Sequence, residues 1–154
     1  MSLATLATSP PESQQPVSAL GFDFGTQRIG VAFGQTLTGT AQALCVIKAN
    51  DGVPDWERIA ALITEWQPNC LVVGLPYNMD GSDSELLTRA TRFGNRLQNR
   101  FKLPVYGVDE RLSSQAAIEQ IAQSEQHSGK RKAIDDVAAQ IILETWFQEL
   151  GRKS

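Results

Sequence analysis

An apolar run that ends in an aspartate, turns at a glycine and starts again constrains this chain more than any other segment: Leu20-Gly21-Phe22-Asp23-Phe24-Gly25-Thr26-Gln27-Arg28-Ile29-Gly30-Val31-Ala32. It reads as a β-hairpin with a carboxylate at its edge. The period of two puts Leu20, Phe22 and Phe24 on one face and leaves only Gly21 beside Asp23 on the other. A neighbour without a side chain implies open space in front of the acid. Metal and phosphate sites need that space, because the ligand must approach both carboxylate and backbone. A turn-capping aspartate before Gly-Thr is the competing reading of the same residues.

Two more acidic pairs recur at expected element ends. Val105-Tyr106-Gly107-Val108 runs into Asp109-Glu110, and Asp135-Asp136 opens a helix over Val137-Ala138-Ala139. Carboxylates from three separate elements converging in space would hold divalent cations, Mg²⁺ above all, since hard oxygen ligands are nearly all they offer. Along the strand Asp109 and Glu110 alternate in face, so one of the two is expected at the site, and geometry leaves open which. On the helix, Asp135 shares a stripe with Ala138, Ala139, Ile142 and Trp146, whereas Asp136 shares one with Gln140, Leu143 and Glu144. Asp135 is therefore expected to face the protein body, at a helix N-terminus that favours its ionised form.

Periodicity and breakers predict strands at 19–24, 29–35 and 40–48, then a helix over 55–67 stopped by Pro68. Cys70–Leu75 is uniformly apolar, as in a strand covered on both faces. Ser82 and Glu85 form a capping-box pair opening a helix to about Phe101. A strand over Pro104–Asp109, a helix from about Ser113 and a last helix from about Ile134 follow. The implied fold class is α/β, a mixed sheet with helices around it. With 154 residues, 42% of them hydrophobic, the chain supports one core. It is read as a single domain over 17–151 behind a Pro-, Ser- and Gln-rich disordered tail at 1–16. There is no apolar run long enough to span a membrane and no basic-then-apolar leader, so a cytoplasmic location is expected. Cys45 and Cys70 sit in apolar runs without zinc-site spacing and read as small buried hydrophobes of a reduced compartment. One histidine, His127, excludes a multi-histidine metal site.

Four blocks, Gly21 to Ala32, Val73-Gly74-Leu75-Pro76-Tyr77-Asn78-Met79-Asp80-Gly81, Val108-Asp109-Glu110-Arg111-Leu112-Ser113 and Ile134-Asp135-Asp136-Val137-Ala138-Ala139, occur in order over about residues 18 to 150. Together they resemble the signature blocks of the YqgF family, also called RuvX, small bacterial proteins described as pre-16S ribosomal RNA nucleases and related to Holliday junction resolvases. The resemblance implies a ribonuclease-H-like, mixed five-stranded sheet with helices on both faces. It also implies a catalytic and metal-binding set of Asp23, Glu110 and Asp135, with Glu110 preferred over Asp109 on the family pattern, and Mg²⁺ or Mn²⁺ as cofactor. The chemistry so implied is hydrolysis of a phosphodiester by an activated water, with two ions about 4 Å apart bridged by Asp23 and no protein nucleophile. The substrate it favours is the 5′ end of precursor 16S ribosomal RNA.

Substrate contacts are expected from Arg28 beside Asp23, from Asn78 at the carboxyl end of a strand, from Arg111, and from Lys130-Arg131-Lys132 just before the Asp135 helix. Arg111 reads equally well as a phosphate ligand or the partner of a neighbouring acid, and Tyr77 offers a ring on which a base can stack. Arg89, Arg92, Arg96 and Arg100 fall within an arc of about 80° on one helix, a face suited to a phosphate backbone or to solvent. A net charge of −3 argues against indiscriminate nucleic-acid binding. Three other functions fit parts of the pattern: a Holliday junction resolvase acting on branched DNA, a noncatalytic RNA-binding assembly factor, and an actin-like or sugar-kinase ATPase, which shares the first hairpin but needs two such domains. No apolar helix face is left over to announce a dimer, so a monomer or weak dimer is expected.

Overall fold

The computed structural model describes residues 17–78, 80, 82, 84–112 and 134–152. Six strands form one sheet in the order β4-β3-β2-β1-β5-β6. The first three, β1 (Ser18–Asp23), β2 (Arg28–Gln35) and β3 (Thr40–Asn50), are an antiparallel meander in which Asp23 lies opposite Gly30. On the other side of β1, β5 (Cys70–Leu75) and β6 (Val105–Asp109) add in parallel. Parallel strands need cover on both faces, and every residue of β5 is buried.

The expected five strands become six because β3 runs on to Asn50. It then turns through Asp51 and Gly52, at φ +50° and +86°, into β4 (Val53–Pro54). A two-residue strand containing proline carries no periodic signal and reads as loop.

Helix α1 (Trp56–Trp66) is capped by Asp55, whose carboxylate accepts from the Glu57 amide at 3.1 Å, and stops where Gln67 turns left-handed ahead of Pro68. Helix α2 (Glu85–Phe101) starts two residues later than the capping-box pattern implies. Its N-cap is Ser84, which accepts from the Leu87 amide at 2.9 Å and donates to the Pro76 carbonyl at 2.9 Å. The hydroxyl of Ser82 is engaged instead by Asp80 at 2.6 Å. Helix α3 (Ile134–Arg152) closes the described chain. The expected helix from Ser113 and the tail at 1–16 lie outside the described residues.

The alternation of the strands divides the interior into two cores, one on each face of the sheet. Leu20, Phe22, Val31, Leu71 and Val73 pack under α1 and α2, where the Phe22 and Phe93 rings meet edge-on at 5.6 Å. Ala19, Ala32, Cys70, Val72 and Val108 pack under α3, with Leu143 and Trp146 fully or almost fully buried. Helices on both faces are thus present as expected. No helix of the described residues is long and apolar enough to cross a membrane.

Candidate active site

Because β1, β5 and β6 run parallel, their carboxyl ends share one edge of the sheet and bring Asp23, Leu75 and Asp109 together. The registers pair Phe22 with Val73, Gly74 with Val108 and Leu75 with Asp109. Immediately after β6 the chain enters a 3-10 turn (Glu110–Leu112), which takes Glu110 off the path of the strand. Its carboxyl group reaches back over β5 and hydrogen-bonds that of Asp23. Gly74 makes this possible. A Cβ at that position would stand 2.6 Å from Glu110 Oε1, 3.1 Å from its Cγ and 2.5 Å from Ile142 Cδ1. The Glu110 side chain therefore occupies the volume that any other residue at 74 would fill.

Burial pushes the Glu110 carboxyl above its ordinary value, and the charge of Asp109 pushes in the same direction, against the hydrogen bond with Asp23. Two carboxyl groups in such contact share a proton, and both ionise only when a cation lies between them. That donor set, two hard oxygen ligands forced together in a partly desolvated place, fits a divalent metal.

The third acid expected from the sequence, Asp135, belongs to α3. Phe147 lies against Gly34, which pairs with Ala19, while Leu143 and the Ala139 carbonyl lie against Gly21. The helix thus runs antiparallel to β1. Four helical residues advance about 6 Å and two strand residues about 6.6 Å, so the start of the helix lies toward the Asp23 end of β1. The sequence implied open space beside Gly21, but the helix fills it: a Cβ there would meet Leu143 Cβ at 3.1 Å, so the glycine serves close packing of the helix. Nor does the two-stripe argument separate the acids. Ile142, seven residues after Asp135, and Leu143, seven after Asp136, are both buried on the sheet. The side chains of Asp135 and Asp136 lie outside the described residues, as do His127 and Lys130, Arg131 and Lys132.

Asp109 is engaged elsewhere. Its two oxygens accept from Arg111 Nε at 3.0 Å each, Oδ2 accepts from Nη2 at 2.6 Å, and Oδ1 accepts from the Arg111 amide at 2.9 Å. These bonds hold the Asp109 carboxyl below its ordinary range. Of the two readings of Arg111, the structure shows the acid partner. The same guanidinium lies 5.2 Å over the Tyr77 ring, covering a face that a base would need. Asn78 lies at the same sheet edge, exposed, with Nδ2 donating to Ser82 Oγ at 3.1 Å. Arg28 opens β2 next to the hairpin turn and is exposed.

The sequence profile of the RuvX family, described as Holliday junction resolvase, matches residues 17–149. The chain belongs to the RuvX family. Relatives bearing the name "Putative pre-16S rRNA nuclease" include those of Pseudomonas paraeruginosa, 55% identical over 84% of this chain and 91% of that protein, and of Azotobacter vinelandii, 50% identical over 87% and 95%. Among solved structures, Thermus thermophilus RuvC in complex with Holliday junction substrate is similar at a TM-score of 0.58, with 19% identity over 87% of this chain and 96% of that one. The yeast mitochondrial Holliday junction resolvase Ydc2 is similar at 0.51, with 11% identity over 97% and 82%. Both likenesses confirm the ribonuclease-H-like fold.

Within this RuvX-family chain, the residue that sequence reasoning passed over is Gly74. Its signal was present, a lone glycine inside an otherwise uniformly apolar strand, which marks close approach of another group. The cysteines behave as expected: Cys70 is buried, with its thiol pushed up to about 12 by desolvation, and Cys45 is half-buried.

Proposed function

We propose that this chain is a metal-dependent endonuclease of ribosomal RNA maturation, acting on the 5′ end of precursor 16S RNA in the bacterial cytoplasm, with Asp23, Glu110 and Asp135 as its catalytic acids. The observation that carries the proposal is the contact between Asp23 and Glu110 over Gly74, on a fold whose family is described by nuclease activity. Asp23 and Glu110 would hold Mg²⁺ or Mn²⁺ together with Asp135. When bound, such ions lower the pKa of a water and stabilise charge on the attacking and leaving oxygens of a phosphodiester.

This chain's own residues supply the rest. Glu110, desolvated against Ile142, gains most from a cation because its ionised form is otherwise disfavoured. Arg111 occupies both carboxylate oxygens of Asp109, which fixes the turn that aims Glu110 and keeps those oxygens from competing for the metal. Arg28, Asn78 and the Lys130-Arg131-Lys132 segment supply polar and cationic contacts for the strand on either side of the scissile bond.

The test is cleavage of labelled precursor ribosomal RNA 5′-end fragments beside a four-way DNA junction, with Mg²⁺, Mn²⁺ or EDTA and with Asp23→Asn. Metal-dependent cutting of the RNA that disappears in the variant is the expected result. Cutting of the junction alone moves the function to DNA recombination. Binding of RNA without cutting of either substrate leaves a noncatalytic assembly factor.

A further inference from the structure

The helix that carries the arginine face does not present it uniformly. Arg100 is spent on the ring of Trp56, 4.4 Å away. Arg89, Arg92 and Arg96 instead border a cavity of about 130 Å³ between α2 and the Asp51–Gly52 turn, floored by the rings of Phe24 and Phe93. Arg89 is fixed there by Asp51, with Nη2 donating to the Asp51 carbonyl at 2.7 Å and to its carboxylate at 2.8 Å. Gly52 leaves room for that guanidinium, since a Cβ would lie 3.2 Å from both Arg89 Nη2 and Phe24 Cζ. Among the described residues, Arg92 and Arg96 have no carboxylate partner, so three guanidinium groups face one carboxylate and the cavity carries a net charge of +2. In a chain of net charge −3 this is a concentration of the opposite sign over a concave, partly apolar surface, the setting in which an anion is held most strongly.

The cavity is also tied to the candidate active site. The Gly52 amide donates to the Thr26 carbonyl at 2.8 Å and the Ala49 amide to the Gln27 carbonyl at 2.9 Å, so the turn that lines the cavity braces the loop following Asp23. Asp23 and Phe24 are consecutive and face opposite sides of the sheet at one edge. A nucleic-acid strand crossing that edge would reach both.

We propose that the Arg89–Arg92–Arg96 cavity binds a backbone phosphate of the substrate strand away from the scissile bond, anchoring the strand independently of its base sequence. This rests on the nuclease reading for the identity of the ligand, while the site itself stands on its own geometry. The cavity offers guanidinium donors and no arrangement for reading base edges, so RNA and DNA strands share the chemistry it recognises.

The test is binding of fluorescein-labelled single-stranded RNA and DNA of equal length in EDTA, at several salt concentrations, to the full chain, to the double variant Arg92→Gln/Arg96→Gln, to Arg92→Lys/Arg96→Lys and to Arg58→Gln as a charge control. Each lost phosphate contact lowers the slope of log affinity against log salt by about 0.7 on a single strand. The glutamine pair is expected to lower the slope by about one such step and to weaken binding about tenfold for every sequence, the lysine pair to restore much of both, and Arg58→Gln to leave the slope unchanged. Equal slopes for the parent and the glutamine pair overturn the proposal even if metal-dependent cleavage is found. A lowered slope in a protein that cuts nothing supports the cavity and removes the nuclease reading. A slope lowered equally by Arg58→Gln shows diffuse charge rather than a site. A preference between the RNA and DNA arms beyond about tenfold shows recognition of more than phosphate.

Discussion

Gly74 allows the sharpest test at the scale of single residues. Gly74→Ala puts a methyl group where Glu110 and Ile142 already are, at 2.6 and 2.5 Å. Overpacking of this kind costs about 1–3 kcal/mol, and displacement of the acid is expected to lower the cleavage rate about a hundredfold. Denaturant unfolding and single-turnover cleavage measure the two effects. Glu110 gives a second prediction, in pH. Its folded value lies above its ordinary one, so between the two the folded state holds a proton that the unfolded state has released, and stability falls as pH rises through that window. Mg²⁺ is accordingly expected to raise the melting temperature at neutral pH and to do little at about pH 4, near the ordinary carboxylate value, and Glu110→Gln is expected to remove both the pH slope and the Mg²⁺ response. Asp109, held low by Arg111, contributes with the opposite sign: its stability is present above its ordinary value and is lost as pH falls through the lowered one. That Asp23 ends a strand was legible from alternation alone. That Gly21 faces a helix rather than a ligand was not, because a missing side chain records closeness without saying to what.

The elements show where local patterns mislead. Ser82 and Glu85 satisfy the capping-box spacing, yet Asp80 takes the Ser82 hydroxyl and Ser84 caps the helix. Ser84→Ala is expected to cost about 1 kcal/mol, more than Ser82→Ala, in paired thermal melts. Strand and helix positions were otherwise visible in sequence because each has its own period and breaker. The last helix was the exception. It is buried on several sides, from Val137 through Phe147, since it lies across the sheet face rather than at its margin, so a single apolar stripe misjudged Leu143 as peripheral. Leu143→Ala is expected to cost about 2–5 kcal/mol, read by denaturant unfolding, and to loosen the contact at Gly21 that sets the height of the helix over β1.

In the whole molecule, the alternation of a meander with helix-linked strands was enough to announce a mixed sheet with helices on both faces, because chain order nearly dictates such a topology. What it did not announce was β4 and the turn before it, which build the arginine cavity from residues with no periodic signature. Central β1 has a further consequence. It is among the first strands in the chain, yet it pairs on one side with β5, its terminal acid meets Glu110, and on the face away from α1 and α2 it is roofed by a helix that begins at Ile134. During synthesis the amino-terminal hairpin therefore emerges long before anything can complete the centre it belongs to. A ribosome would carry an inert nascent chain until the final stretch had cleared its tunnel. Chains stalled before Ile134 are expected to be cut readily by added protease within β1 and β2, whereas full-length released chains resist, and equal resistance in both would show that the sheet closes without its last helix.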